Sequence, residues 1–172
     1  MASIPRNKLE GVVKVIASKL INRQYAVRGT ASIFLQGFDM NVDDVDVLGN
    51  KTVALACNKL LGDFLVEKVS YKESEKFKSY FGKFEIGGVL VEVYGNWQVK
   101  KRRESGVVKD GSVWSEIFDA SGDEMTIINV KGVKIKVTRI ETELKMFSLM
   151  SRWSTYWKLK RQMEPSKEEV RD

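Results

Sequence analysis

The segment Val27–Ser32, which reads VRGTAS, and the segment Asp44–Val47, which reads DVDV, indicate how this chain folds. The first segment runs from a short β-prone stretch through glycine and threonine into a brief apolar stretch. This order predicts a strand, a turn and a short helix. The second segment begins fourteen residues after Thr30 and alternates polar with apolar residues, as a half-buried strand does.

The alternation in the second segment places two carboxylates close together. Side chains of a strand alternate between its faces, so Asp44 and Asp46 project from one side while Val45 and Val47 turn into the core. Adjacent carboxylates repel each other unless a cation lies between them, and their oxygens suit a hard ion such as Mg²⁺. Two solvated residues on an edge strand would show the same spacing, so the pair alone leaves both interpretations open.

Two further features add to the carboxylate pair. Backbone N–H groups at the helix start after Gly29 would point toward an anion, and the Thr30 hydroxyl could donate one more hydrogen bond. Thr30 could equally be a simple helix cap. Glu92 interrupts the apolar strand Val89–Tyr94, where a buried carboxylate is costly without a partner that a metal ion could supply. Together these residues predict a site for a metal-bound triphosphate.

This set of residues resembles the nucleotidyltransferase superfamily, whose catalytic core is shared with DNA polymerase beta. The family pattern is glycine followed by Ser, Gly or Thr, then Asp-apolar-Asp-apolar, and later a third carboxylate on a neighbouring strand. Gly29-Thr30, Asp44–Val47 and Glu92 occupy these positions, with Thr for the commoner Ser and Glu for the commoner Asp. The similarity covers residues 8 to 96, and more loosely the helices after Arg139. It is strongest to small, mostly prokaryotic nucleotidyltransferase-domain proteins.

The resemblance implies a metal-dependent enzyme. Asp44 and Asp46 would bind two Mg²⁺ ions, with Mn²⁺ as an alternative, and Glu92 would ligate the catalytic metal. These three residues would be the catalytic and metal-binding set. The implied reaction moves a nucleoside monophosphate from a nucleoside triphosphate (NTP) to the hydroxyl of an unidentified acceptor and releases pyrophosphate. The acceptor could be a small molecule, a protein or RNA, and the preferred base is open.

Several residues are candidates for contact with the nucleotide. The resemblance implies that Thr30 and its neighbouring amides hold the β- and γ-phosphates. Basic and hydroxyl side chains on adjacent elements could lean toward the same triphosphate, although strand arginines and lysines are more often solvated. The full set of candidates is Gly29, Thr30, Arg28, Ser32 and Lys78.

Composition limits the alternatives. The 172-residue chain contains no histidine, which excludes His-based triads, His-containing zinc sites and imidazole base catalysis. Its formal net charge of +6 weakly favours an anionic partner. The lone Cys57 cannot form an internal disulfide, and no apolar run is long enough to span a bilayer. We therefore expect a cytoplasmic protein with no membrane segment.

The predicted strands and helices indicate an α+β (mixed α/β) chain. The resemblance implies the nucleotidyltransferase fold, with a mixed and mostly antiparallel sheet flanked by helices and followed by C-terminal helices. Residues 1–99 would form the catalytic core, and residues 100–172 would add strands and C-terminal helices that complete or extend the same domain. The predicted segments are a helix over Pro5–Arg23, strands over Phe64–Tyr71, Phe77–Ile86, Val89–Tyr94, Ser112–Phe118, Met125–Val130 and Val133–Val137, and one or two helices after Arg139.

Other interpretations remain open at this stage. The same fold could serve as a non-catalytic module, or as a toxin or antitoxin component, that binds a protein or RNA. The basic run Lys100–Arg103 is typical of a solvated loop, but it could also contact a nucleic acid backbone. Trp153, Tyr156 and Trp157 at helical spacing indicate core packing or an interface, which leaves a homodimer open.

Overall fold

A computed structural model of the chain describes residues 2–101 and 113–165. The second half of the Lys100–Arg103 run, the predicted strand start at Ser112 and the tail after Pro165 lie outside these residues. Among the described residues, no helix is both long and apolar enough to cross a membrane.

Five α-helices and seven strands are found in the described part of the chain. The helices are α1 (Arg6–Lys19), α2 (Gly29–Leu35), α3 (Lys51–Leu60), α4 (Ile140–Leu149) and α5 (Trp153–Met163). The strands are β1 (Tyr25–Arg28), β2 (Val45–Gly49), β3 (Leu65–Glu73), β4 (Phe77–Ile86), β5 (Val89–Val99), β6 (Met125–Val130) and β7 (Val133–Thr138).

All seven strands form one sheet in the order β3-β4-β5-β2-β1-β7-β6. The pairs β2–β5 and β1–β7 are parallel, and the other four neighbouring pairs are antiparallel. The expectation of a mixed, mostly antiparallel sheet with C-terminal helices is therefore confirmed. Because β1 and β2 lie at the centre, residues at their ends can meet side chains from both halves of the chain.

The two faces of the sheet carry different cores. On one face, apolar side chains such as Val27 and Val47 pack with α1 and α3. On the other face, Ala26 and Leu48 pack with Trp97 and with Met146 of α4. Asp46 alternates with Val45 and Val47, so it lies on this second face. The second face is therefore the one that carries the candidate site.

Strand β5 continues five residues beyond its predicted end at Tyr94. Asn96 has a positive φ of 49°, and the pairing with β4 shifts between Lys78 and Tyr80. This irregularity is a β-bulge, which places Tyr94 and Trp97 on the same face despite their odd spacing. Sequence alternation alone could not reveal this change of face.

Two other predicted segments differ from the structure. Helix α1 ends at Lys19 and not at Arg23, because the chain turns there and Asn22 adopts a positive φ of 61°. The described part of Ser112–Phe118 contains no continuous strand, only isolated bridges from Trp114 to Lys100 and from Phe118 to Trp97. The C-terminal apolar stretch forms two helices that meet at Ser151.

Candidate functional site

A cavity of about 470 Å³ opens on the second face of the sheet, beside the start of β2. Strands β1, β2 and β5 contribute to it from one side, and the N-terminal part of α5 contributes from the other. Its charged lining includes the acidic residues Asp43, Asp44, Asp46 and Glu92 and the basic residues Arg28, Arg152 and Lys158.

The three predicted carboxylates meet at this cavity. One oxygen from each of Asp44, Asp46 and Glu92 lies within 4.8 Å of the other two. The parallel pairing of β2 with β5 sets Asp46 directly beside Glu92, and the antiparallel pairing of β1 with β2 sets Arg28 on its other side. Asp44 immediately precedes β2 and lies outside the strand in which it was expected. The register of the central strands therefore builds the acidic cluster.

Burial and nearby negative charges make two of these carboxylates, Asp44 and Asp46, resist ionisation. Burial raises the pKa of Asp46 to about 7, an effect that the charge of Arg28 opposes. Burial also raises the pKa of Asp44, and the nearby charges of Glu92 and Asp43 add to that rise. Among the described residues, the buried Asp46 Oδ1 has no hydrogen-bond partner. Burial and mutual repulsion therefore oppose the charged forms of Asp44 and Asp46 more strongly than the nearby guanidiniums of Arg28 and Arg152 favour them.

Aromatic side chains position two of the charged groups. The Tyr94 hydroxyl donates to Glu92 Oε2 at 2.7 Å, and burial raises the pKa of this phenol, so it remains a donor. The Arg28 guanidinium lies 4.1 Å from the Trp97 ring centroid and 5.1 Å from that of Tyr94. Arg28 is only 5% exposed, so its charge is held at the base of the cavity by cation–π contacts.

Gly29 and Thr30 line the cavity as predicted, but the Gly29 amide is already engaged. Its N–H donates to Oε1 of Glu143 at 2.7 Å, and that carboxylate is fully buried. Gly29 has a φ of 72°, and a Cβ there would lie 3.2 Å from Asp46 Oδ2. Glycine is therefore required by backbone conformation and by space. The Gly29 amide thus already has an acceptor inside the protein, and its binding to a phosphate stays a prediction.

Ser32 and Lys78, also proposed as nucleotide contacts, lie outside the cavity lining. Ser32 is fully buried, and its hydroxyl donates to the Thr138 carbonyl at 2.9 Å. Lys78 forms a 3.7 Å ion pair with Glu73, and its Nζ lies 4.3 Å from the Trp114 ring centroid. The structure does not bring either side chain to the carboxylates.

Comparison with solved structures identifies the fold. No model of a known protein family matches the chain, and no curated protein matches it. The structure is similar to that of a proposed nucleotidyltransferase from Thermotoga maritima (TM1012), with a TM-score of 0.75 and 24% sequence identity over 94% of this chain and 96% of that one. It is also similar to the lincosamide antibiotic adenylyltransferase LnuA, solved with lincomycin bound. For LnuA the TM-score is 0.52 and the identity is 14%, over 92% of this chain and 98% of that one.

This chain has the nucleotidyltransferase fold. The resemblance predicted from Gly29-Thr30, Asp44–Val47 and Glu92 is confirmed at the level of the fold. Within that fold, the structure brings the three carboxylates together with Arg28 and with Gly29 and Thr30 at the start of α2.

Several residues that line the cavity in this nucleotidyltransferase fold were not identified from the sequence. Ser154, Thr155 and Lys158 of α5, with Arg152 just before it, line the cavity. They lie more than a hundred residues after Gly29 and Thr30 at the start of α2. They belong to no recognisable motif. The one available signal is the spacing of Ser154 and Lys158, which are four residues apart and therefore share one helix face.

Proposed function

We propose that this protein is a metal-dependent nucleotidyltransferase. It would transfer a nucleoside monophosphate from an NTP to the hydroxyl of an acceptor and release pyrophosphate. The observation that carries this proposal is the convergence of Asp44, Asp46 and Glu92 within 4.8 Å, at a cavity in a chain with the nucleotidyltransferase fold.

The donor set fits Mg²⁺. Three carboxylates supply hard oxygen ligands, and Mg²⁺ commonly binds a few carboxylates together with water and phosphate oxygens. Asp46 Oδ1 is buried without a partner among the described residues, which a cation would correct. Asp44 and Asp46 would hold two ions, Glu92 would join them at one, and Mn²⁺ could replace Mg²⁺. Bound there, the ions would stabilise the attacking and leaving oxygens of an in-line displacement.

The protein's own groups would position the reactants. The Tyr94 hydroxyl holds the Glu92 carboxylate in place, and Arg28 places a fixed positive charge at the base of the cavity. The Thr30 hydroxyl could donate to a phosphate oxygen from its position in the lining. In the reaction, the acceptor oxygen bonds to the α-phosphorus and loses its proton to solvent. The bond from that phosphorus to the bridging oxygen breaks, and pyrophosphate leaves.

The acceptor is proposed only by class. LnuA is named as an adenylyltransferase of a small-molecule antibiotic, which supports testing small-molecule hydroxyls alongside protein and RNA acceptors. We also carry forward a cytoplasmic location as a proposal. The exposed Trp153 and Trp157 on α5 keep a homodimer among the arrangements to be tested.

The experiment is a pyrophosphate-release assay with each of the four NTPs, Mg²⁺ and pools of small molecules, RNA or proteins. We expect Asp46→Asn and Glu92→Gln to lower the rate by about a thousandfold or more, since each removes a charge that the reaction requires. Asp63→Asn, which changes an exposed aspartate outside the cavity, should leave the rate unchanged. Full transfer by both Asp44→Asn and Asp46→Asn would contradict the proposal.

A further inference from the structure

The N-terminus of α5 lines the same cavity as the acidic cluster. Arg152 precedes the helix, and Ser154, Thr155 and Lys158 lie in its first two turns, all within the cavity lining. Within residues 2–101 and 113–165, no side chain caps the N-terminus of this eleven-residue helix. Its first amides therefore present an unneutralised positive end, which favours an anion.

The joint between α4 and α5 fixes this helix end in place. The N–H of Arg152 donates to the Phe147 carbonyl at 2.9 Å, and the N–H of Ser151 donates to the Ser148 carbonyl at 3.0 Å. Ser151 adopts a φ of 55°. These features are those of a Schellman motif, which ends α4 and sets the direction of the following residues. Arg152 is thus held at the cavity rim by the backbone.

The side chains at this helix end are available to a ligand. Within the described part of the chain, Arg152 makes no ion pair, and the hydroxyls of Ser154 and Thr155 make no hydrogen bonds. Lys158 reaches only the exposed Asp39, at 4.0 Å. The Arg152 guanidinium lies 5.8 Å from the Phe147 ring centroid, and its charge opposes the rise in the pKa of Asp44. The described lining therefore offers two cations without a close ion pair and two hydroxyl groups without a hydrogen bond.

A second observation at the same cavity also points to an anion. Arg28 is only 5% exposed and lines the cavity, yet its Nε has no partner among the described residues. A buried guanidinium donor without an acceptor is costly, and a phosphate oxygen would satisfy it. By contrast, the N-terminus of the seven-residue α2 offers a phosphate fewer free hydrogen-bond donors, because the Gly29 amide already donates to Glu143.

We propose that the β- and γ-phosphates of the NTP bind at the N-terminus of α5, held by Arg152, Lys158 and the hydroxyls of Ser154 and Thr155. This inference rests on the proposed function, because it assigns the orientation of the same substrate. The α-phosphate then lies at the carboxylates, and the leaving pyrophosphate lies on the basic wall of the cavity. The helix start at Gly29-Thr30 contributes the Thr30 hydroxyl and not the Gly29 amide.

The test uses inorganic tripolyphosphate with Mg²⁺ as a probe that has no base or sugar, titrated into the full chain by calorimetry. We expect Arg152→Ala and Lys158→Ala each to weaken binding about tenfold or more, because each removes a charge-assisted contact. Arg152→Lys should weaken it less, since it keeps the charge but loses the planar fork. Arg161→Ala removes an exposed arginine of the same helix outside the lining and should change affinity less than twofold.

A comparison of nucleotides separates this inference from the proposed function. Arg152→Ala and Lys158→Ala should weaken NTP binding while changing the affinity for the nucleoside monophosphate less than twofold, because the monophosphate lacks the terminal phosphates. Wild-type binding of NTP that both variants retain within twofold would overturn the α5 assignment and leave the enzyme proposal standing. Failure of the wild type to bind any NTP or tripolyphosphate with Mg²⁺ would overturn both.

Discussion

Asp46 lies next to one cation, Arg28, and close to two other carboxylates, Asp44 and Glu92. Its neighbour on β1 is Arg28, and its neighbour on β5 is Glu92, in a row set by strand register. Arg28 is also engaged by the rings of Tyr94 and Trp97. The cavity lining holds three basic side chains, those of Arg28, Arg152 and Lys158, against four carboxylates, and the residual negative charge favours binding of a divalent cation.

This imbalance predicts the effect of neutralising Asp46 in the absence of metal. Asp46→Asn keeps the shape of the side chain and removes one of the mutually repelling charges, so it should raise the free energy of unfolding by about 1 kcal/mol. The measurement is thermal unfolding at pH 8 with a chelator present. Asp63→Asn, at an exposed position, should have no such effect. A clear fall in the stability of Asp46→Asn would show that this carboxylate is stabilising without a cation.

The sequence predicts the acidic cluster because its elements lie in recognisable local patterns. Asp44 and Asp46 are two residues apart, and Glu92 interrupts an apolar strand. Arg152 and Glu143 reach the same region through tertiary packing, which no local pattern encodes. Ser32 is the opposite case, a residue that the local pattern indicated and the structure places elsewhere. Its position just after Gly29-Thr30 suggested a contact with the nucleotide, whereas its hydroxyl is buried and donates to the Thr138 carbonyl.

At the scale of elements, the α4–α5 joint determines where α5 begins. Ser151 adopts a left-handed conformation that glycine accepts more readily than serine. We predict that Ser151→Gly raises the free energy of unfolding by about 0.5–1 kcal/mol, measured by denaturant unfolding. Ser148→Gly, placed inside α4, should lower it by a similar amount because glycine disfavours helix interiors. Destabilisation by Ser151→Gly would argue against the described joint.

The ion pairs of Glu10, on α1, predict that the stability of the protein depends on pH. Glu10 bonds to Lys131 at 2.8 Å and to Arg6 at 3.1 Å, and the hydrogen bond from Lys131 is the main cause that lowers the pKa of Glu10. A lowered pKa in the folded state means that this stabilisation is present above the ordinary value of 4.5 and is lost as pH falls through the lowered value.

Glu10→Gln should therefore lower the melting temperature at pH 7, and the difference from wild type should shrink at pH 3. Thermal melts across this range provide the measurement. Glu75→Gln, at an exposed turn position, serves as the control. A difference between Glu10→Gln and wild type that stays constant from pH 7 to pH 3 would contradict a role for the ionised carboxylate.

Element boundaries were predictable where local signals mark both ends. The strand over Phe77–Ile86 was predicted with its observed bounds, because Gly87-Gly88 marks the hairpin turn that follows it. The end of β5 was not predictable, since the bulge at Asn96 depends on its pairing with β4. The predicted strand before Phe118 fails for a similar reason, because isolated bridges to β5 replace regular pairing in its described part.

At the scale of the whole molecule, the site depends on both halves of the chain. The acidic wall comes from β2 and β5, with Asp44 just before β2, and the facing basic residues Arg152 and Lys158 come from the C-terminal helices. The cavity therefore exists only when α4 and α5 pack beside the sheet. The C-terminal helices belong to the proposed site, in addition to completing the fold.

The most direct test of the central claim is a thermal-melt series with each NTP, with and without Mg²⁺, on the wild type and on the double variant Asp44→Asn/Asp46→Asn. Ligand at a hundred times its dissociation constant should stabilise the wild type by about 2.7 kcal/mol, or several degrees. We predict that at least one NTP stabilises the wild type only when Mg²⁺ is present, and that the double variant loses this response. No response of the wild type to any NTP at millimolar concentration, or an equal response in the double variant, would contradict a metal-dependent nucleotide site at these carboxylates.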